Sequence, residues 1–317
     1  MVTGSATRIA AQVVRASGEG AFTRIGGTPL LRLERVAAGL PPSVALYGKA
    51  EWYNPSGSVK DRPAAAIIRQ ALQDGSLTPN RTLLDSSSGN MGIAYATLCA
   101  ALGLRVQLMV PANASPERLA ILHALGAGVT LTDPLEGADG ARQVAAEEAA
   151  HYPERYFFAN QYDNDANWQS HYETTAPELV RQTGGRMTHL VVGMGTTGTV
   201  VGVGRYLRET LPHARLVAVQ PDAPLHGLEG LKHLASSPKP GIYDPQLPHE
   251  IVEVRTESAY AMARTLARQD GLLVGVSAAA AVVAARQVAE QLDEGVVVAL
   301  LPDSGLKYLS EAFWSAA

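Results

Sequence analysis

A single cysteine, Cys99, stands in a chain of 317 residues, and that scarcity excludes an intrachain disulfide and any thiolate cluster for zinc or an iron–sulfur centre. Cys99 lies in the apolar run Ala94-Tyr95-Ala96-Thr97-Leu98-Cys99-Ala100-Ala101-Leu102, which reads as a helix, so its expected role is that of a small core hydrophobe. Charge is also sparse. Charged residues make up 18% of the chain, and a formal net charge of −4 offers no broad attraction to nucleic acid or to an anionic membrane. No window reaches the roughly 18 continuous apolar residues of a membrane span, and the first twenty residues lack the apolar stretch of about 7–15 residues that marks a signal peptide. The expectation is a cytoplasmic protein with neither nucleic acid nor membrane as partner.

What is abundant is apolar residue, at 46% of a chain long enough for two domains. Short β-rich runs alternate with longer alanine-rich helical patterns, the rhythm of an α/β protein with mostly parallel sheets. Strands are predicted at residues 44–50, 82–85, 106–110, 128–132, 157–160, 189–192, 216–220 and 296–301. Helices are predicted at 62–74, 91–102, 115–124, 138–152, 166–182, 200–209, 258–270 and 278–292. A polar, turn-forming stretch, Asn160-Gln161-Tyr162-Asp163-Asn164-Asp165, marks an approximate boundary between two α/β halves. Residues 235–248, rich in Pro, Ser and Lys, read as a long surface excursion, either a lid or an ordinary loop.

Ligands in such folds sit where strands run into helices, and four such places carry chemistry. In Asn54-Pro55-Ser56-Gly57-Ser58-Val59-Lys60-Asp61-Arg62-Pro63, turn residues precede a helix whose first turn must hold Pro63, with Ser58 as the expected N-cap. A cation at the positive end of a helix dipole is disfavoured, so Lys60 is expected to be a more readily neutralised amine, able to form a Schiff base with an aldehyde. Gly193-Met194-Gly195-Thr196-Thr197-Gly198-Thr199 follows a strand and enters a helix, an anion cradle of flexible backbone, free N–H groups and hydroxyls. It also matches G-x-G-x-x-G, with Asp222 downstream, so a dinucleotide reading stands beside the phosphate reading. Ser86-Ser87-Ser88-Gly89-Asn90-Met91-Gly92 groups hydroxyls, an amide and N–H groups suited to a carboxylate, or else is a well-capped turn. Gly275-Val276-Ser277 enters an alanine-rich helix, where Ser277 alone reads as an N-cap. A lysine nucleophile and a phosphate cradle together suit pyridoxal 5′-phosphate, whose aldehyde takes the one and whose phosphate takes the other.

These loops, with Gly26-Gly27-Thr28-Pro29-Leu30 and Pro302-Asp303-Ser304-Gly305, resemble the cysteine synthase family (O-acetylserine or O-phosphoserine sulfhydrylases) of fold-type II pyridoxal-phosphate enzymes, over about residues 23–313. The resemblance implies a tryptophan synthase β-like fold of two three-layer α/β/α domains with mostly parallel sheets. It implies a smaller mobile domain at residues 45–157 that closes over the substrate, a larger cofactor domain at 158–317, residues 1–44 joining them, and a homodimer. By it Lys60 would be the Schiff-base lysine and general base, and Asn90 would bond the cofactor's phenolic oxygen. Gly195, Thr196, Thr197, Gly198 and Thr199 would hold its phosphate, and Ser277 would meet the pyridine nitrogen. Ser87, Ser88, Met91 and Gln161 would surround the substrate carboxylate. The reaction implied is β-replacement through an aminoacrylate: L-cysteine made from O-acetyl- or O-phospho-L-serine and sulfide or a sulfur carrier.

The chain departs from the family where Met91 replaces a hydroxyl residue, since a thioether cannot donate a hydrogen bond, and where Ala278-Ala279-Ala280 follows Ser277 in place of a hydroxyl residue, glycine and alanine. Lys232, in His226-Gly227-Leu228-Glu229-Gly230-Leu231-Lys232-His233, is a candidate for a substrate phosphate or a solvated loop lysine. His226 and His233 find no carboxylate or cysteine set, and no metal site is expected. Three other readings remain open. They are a synthase using another nucleophile, as cystathionine and diaminopropionate synthases do, a nicotinamide-dependent oxidoreductase, and a catalytically weak cofactor-binding regulator.

Overall fold

The computed structural model describes residues 20–87 and 89–315, which form two compact units. One unit takes in the described residues up to Ile25 together with Asn54–Asn167; the other takes in Gly26–Tyr53 and the described residues from Trp168 onward. The division falls at 25/26, 53/54 and 167/168, where the resemblance implied 45 and 157. The reason lies in strand pairing. The strand Val44–Ala50 is paired residue by residue with Gly295–Leu301, from Val44 opposite Gly295 to Ala50 opposite Leu301, so it belongs to the second unit. At the other boundary, Asn167 Nδ2 donates to the Gln161 carbonyl at 2.7 Å and stays with the first unit.

The first unit carries a wholly parallel four-stranded sheet in the order β5-β4-β3-β6, with β3 Thr82–Ser86, β4 Arg105–Pro111, β5 Gly128–Thr132 and β6 Tyr156–Phe158. Its helices are α1 Asp61–Gln73, α2 Asn90–Leu102, α3 Pro116–Ala124 and α4 Gly137–His151. Successive strand residues face opposite sides. Leu83, Val106 and Leu108 enter a core with Ile67, Ile68 and Leu98 of α1 and α2, whereas Leu84 and Met109 pack with Ala141 and Ala145 of α4. Helices thus cover both faces, and the strands read as continuous apolar runs for that reason.

The second unit holds a six-stranded sheet, β1-β2-β10-β7-β8-β9: β1 Leu30–Arg32, β2 Val44–Ala50, β7 His189–Gly193, β8 Arg215–Pro221, β9 Glu250–Val254 and β10 Gly295–Leu301. Only β1 runs antiparallel. Its helices include α6 Ala176–Gln182, α7 Gly198–Thr210, α8 Thr256–Thr265 and α9 Val276–Ala289; the short α5 Asp165–Ser170 straddles the division. Val191, Val217, Val297 and Ala299 pack on the alanine face of α9, and Leu216 faces α7 on the other side. Residues 235–248 form turns that bury Ile242 and Leu247, which marks this segment as a packed loop.

The strand at 157–160 is one residue earlier and shorter than predicted, and β1 and β9 were not foreseen. Residues 166–182 are not one α-helix: a π-helical turn, His171–Thr175, separates α5 from α6.

Candidate active site

Lys60 occupies the position just before α1, half-buried, with φ −71° and ψ −14°. The turn ahead of it is closed by the Gly57 N–H donating to the Asn54 carbonyl at 2.8 Å, and Gly57 takes the positive φ of 80° that the turn demands. Ser58 does not cap the helix as the sequence suggested. Its hydroxyl accepts the Lys60 N–H at 3.3 Å, while buried Asp61 reaches back to accept both the backbone N–H and the hydroxyl of Ser56. Pro63 sits third in α1, within the first turn, where its missing N–H costs nothing.

β3 leads into the next loop. Ser87 Oγ accepts the N–H groups of Gly92 at 3.0 Å and Gly89 at 3.3 Å, so its hydroxyl caps α2 and still has a proton to give. Asn90 is the first residue of α2. Ser88 lies outside the described residues. The Met91 side chain is 2% exposed and packed in the core around α1 and α2, which leaves its backbone as the part able to meet a ligand. Gln161 follows β6, the neighbour of β3; it is buried, and its Nε2 donates to the Ser86 carbonyl at 3.1 Å.

A residue that sequence reasoning missed links these two loops. Asp85 Oδ1 accepts the Ser86 N–H at 2.8 Å and Oδ2 accepts the Gln161 N–H at 3.3 Å. Burial pushes its carboxyl up to about 7, against these hydrogen bonds and the Arg142 charge. Burial, with Asp85 alongside, also pushes the Tyr95 hydroxyl well above its usual range. Burial raises the Cys99 thiol to about 12, which keeps it an inert core residue.

In the second unit, β7 ends at Gly193 and α7 begins at Gly198. A Cβ on Gly195 would collide with the Gly230 carbonyl oxygen, and the Lys232 N–H donates to the Met194 carbonyl at 2.7 Å, so residues 230–232 brace the turn. Lys232 is half-buried on that brace. Thr197 has φ 68°, a left-handed conformation that costs a β-branched residue about 1–2 kcal/mol. Its hydroxyl is buried with no hydrogen-bond partner among the described residues. Strain and an unspent buried donor at one residue point to a ligand that accepts what the protein does not. Thr196 and Thr199 are also buried.

Ser277 lies in the first turn of α9, whose N-cap position belongs to Gly275. Its hydroxyl makes no hydrogen bond among the described residues and faces Gly230, which has φ 89°. The Pro302-Asp303-Ser304-Gly305 motif holds this entry in place. The Gly275 N–H donates to the Asp303 carbonyl at 3.1 Å, and a Cβ on Gly275 would collide with the Asp303 carboxylate.

Residues 21–303 match the family described as "Pyridoxal-phosphate dependent enzyme". The chain belongs to that family. It is 46% identical to the cysteine synthase of Aquifex aeolicus over 296 residues, covering 92% of this chain and 90% of that protein. The crystal structure of cysteine synthase from Entamoeba histolytica superimposes with a TM-score of 0.90 at 33% identity, covering 95% of this chain and 91% of that one. The O-acetylserine dependent cystathionine β-synthase of Helicobacter pylori gives 0.88 at 32% identity, covering 94% and 99%. The protein is therefore a fold-type II pyridoxal-phosphate enzyme and not a nicotinamide-dependent oxidoreductase.

The residues present suit that cofactor. The packed Gly195 backbone, the orphaned Thr197 hydroxyl and the free N–H groups at the start of α7 form a donor set for a phosphate, and Ser277 holds an unspent hydroxyl. Among the described residues, no group of three or more His, Cys, Asp or Glu could hold a metal, and no helix is long and apolar enough to cross a membrane.

Proposed function

We propose that this enzyme is an L-cysteine synthase that replaces the β-substituent of O-acetyl- or O-phospho-L-serine with sulfide or the sulfur of a carrier. The observation that carries the reading is the 46% identity to a cysteine synthase across 92% of the chain. Pyridoxal phosphate, when bound, supplies an electron sink for the pair left as the substrate Cα–H bond breaks. Lys60 Nζ is the amine that would hold the aldehyde, and as a general base it would take the proton from the substrate Cα. The start of α1 disfavours a charged amine beside it, which suits Lys60 to both tasks.

Asn90 bonds the ring oxygen, and residues 195–199 bind the phosphate. Ser277 Oγ would meet the ring nitrogen, where a hydroxyl, unlike a carboxylate, would not keep that nitrogen protonated, which would favour elimination over transamination. The Ser87 hydroxyl and the N–H groups at the start of α2 bind the substrate carboxylate, with Ser88 and Gln161 beside them and Met91 contributing its backbone. Lys232 faces the leaving group when that group is phosphate. The enzyme acts in the cytoplasm as a homodimer.

The test is product analysis with O-acetylserine and O-phosphoserine in parallel, each with sulfide. Cysteine from either substrate supports the reading, and cysteine from neither overturns it. The likeness to a cystathionine β-synthase supports a second reading, in which another nucleophile adds at Cβ. Homocysteine in place of sulfide tests it, with cystathionine as the product.

A further inference from the structure

We propose that His171 is a positioning residue of the phosphate cradle, holding the Thr199 hydroxyl with its proton turned toward the anion. This rests on the reading of residues 195–199 as the phosphate site. His171 is fully buried and opens the π-helical turn His171–Thr175, which closes with the Ala176 N–H donating to the His171 carbonyl. A π-helical turn is a recurrent mark of functional positions. Here it sets the ring between two threonines, with Nδ1 2.9 Å from Thr175 Oγ1 and Nε2 3.3 Å from Thr199 Oγ1.

The protons have one consistent arrangement. Neither threonine hydroxyl makes another hydrogen bond among the described residues. The Thr175 proton is satisfied only by donating to Nδ1, which places the ring proton on Nε2. Nε2–H then donates to Thr199 Oγ1, so the Thr199 hydroxyl cannot spend its own proton on the ring. That proton is left for an acceptor at the start of α7. The opposite tautomer would strand the Thr175 proton in the core and draw the Thr199 proton inward, away from an anion.

The sequence feature that permits this contact is Gly202, one turn along α7. A Cβ there would collide with the Trp168 carbonyl, the His171 Cβ and the Tyr172 N–H. Glycine lowers helix propensity, and its use inside α7 lets the backbone come close enough for Thr199 to reach the ring.

The test removes the cofactor and titrates the apoenzyme with pyridoxal 5′-phosphate and, separately, with pyridoxal, which lacks the phosphate. Protein fluorescence gives each Kd, and phosphorus NMR reads the bound phosphate. Thr199→Val, Thr175→Val and His171→Phe are each expected to weaken the phosphorylated ligand about tenfold, leave pyridoxal unchanged and move the phosphorus resonance. The Thr175→Val/Thr199→Val pair is expected to match Thr199→Val alone, because both act through one proton. If Thr199→Val weakens binding while Thr175→Val and His171→Phe do not, or if the pair is additive, the role of His171 is overturned and the cradle stands. If Thr199→Val leaves the Kd unchanged, the role of Thr199 in the cradle falls, and with it that of His171. Should His171→Phe fail to fold, the near-isosteric Thr175→Val decides.

Discussion

Asp61 accepts the Ser56 backbone N–H at 2.7 Å and the Ser56 hydroxyl as well, so the first residue of α1 closes the turn that presents Lys60. The carboxylate is buried, and both bonds to it are charge-assisted. Asp61→Ala is expected to cost about 1–3 kcal/mol of stability by removing the buried carboxylate to which Ser56 donates twice. It should also reduce the cofactor retained after dialysis, because the lysine turn loses its brace. Urea denaturation of the apoenzyme and visible absorbance of the holoenzyme measure the two effects. Full cofactor retention in Asp61→Ala would mean that the turn holds without it.

Thr197 separates strain from binding. Thr197→Gly removes the backbone penalty of a left-handed threonine and should stabilise the apoenzyme by roughly 1 kcal/mol. The same change deletes the orphaned hydroxyl and should weaken pyridoxal 5′-phosphate about tenfold. Thr197→Ser should keep the affinity. A rise in both the apoenzyme melting temperature and the cofactor Kd of the glycine variant is the expected signature; a glycine variant that is more stable and equally tight would remove Thr197 from the cradle.

Asp85 makes stability depend on pH. Its folded pKa of about 7 lies above its ordinary value near 3.8, so the folded chain binds this proton more tightly than the unfolded chain does. The stability it contributes is present below pH 3.8 and is lost as the pH rises through 7, by an amount on the order of a few kcal/mol. Asp85→Asn should flatten that decline in chemical-denaturation curves taken between pH 5 and 8. An unchanged slope would show that Asp85 is ionised in the native state at ordinary carboxylate pH.

The Lys49 ammonium is fully buried in the second unit and donates to Glu178 Oε2 at 2.6 Å, to the Thr28 carbonyl at 2.6 Å and to Gln182 Oε1 at 2.9 Å. Glu178 in turn accepts the Gly27 N–H at 2.8 Å. Lys49→Met removes the ammonium from beside that buried carboxylate, an expected loss of about 3–5 kcal/mol. Lys49→Met/Glu178→Leu should recover a large share, and a double variant no better than the single one would locate the cost in packing.

The parallel core was legible because strands buried on both faces are continuous apolar runs. β9 was not, since Glu250 and Glu253 give an edge strand the composition of a loop, and β1 is only three residues long. The Lys60 turn was legible from Pro55 and Pro63, whose rings fix φ, and from Gly57, which is free to take the positive φ the turn needs. The π-helical turn was invisible: one added residue barely disturbs a 3.6-residue periodicity. His171 and Asp85 carry no local pattern, and only the fold shows what a lone buried histidine or aspartate touches. Gly202 and Gly204 inside a helical pattern were the one available hint of close packing there.

The pairing of β2 with β10 has a kinetic side. Val44 leaves the ribosome long before its partner Gly295, which belongs to the last described strand. Residues 54–167, in contrast, are contiguous and contain a whole sheet with its helices. They are expected to fold during synthesis, while the strand on their N-terminal side waits, unpaired on that edge, until Gly295–Leu301 has been made. Glycine at position 48, against which Leu301 packs so closely that a side chain would not fit, makes that late docking a tight one.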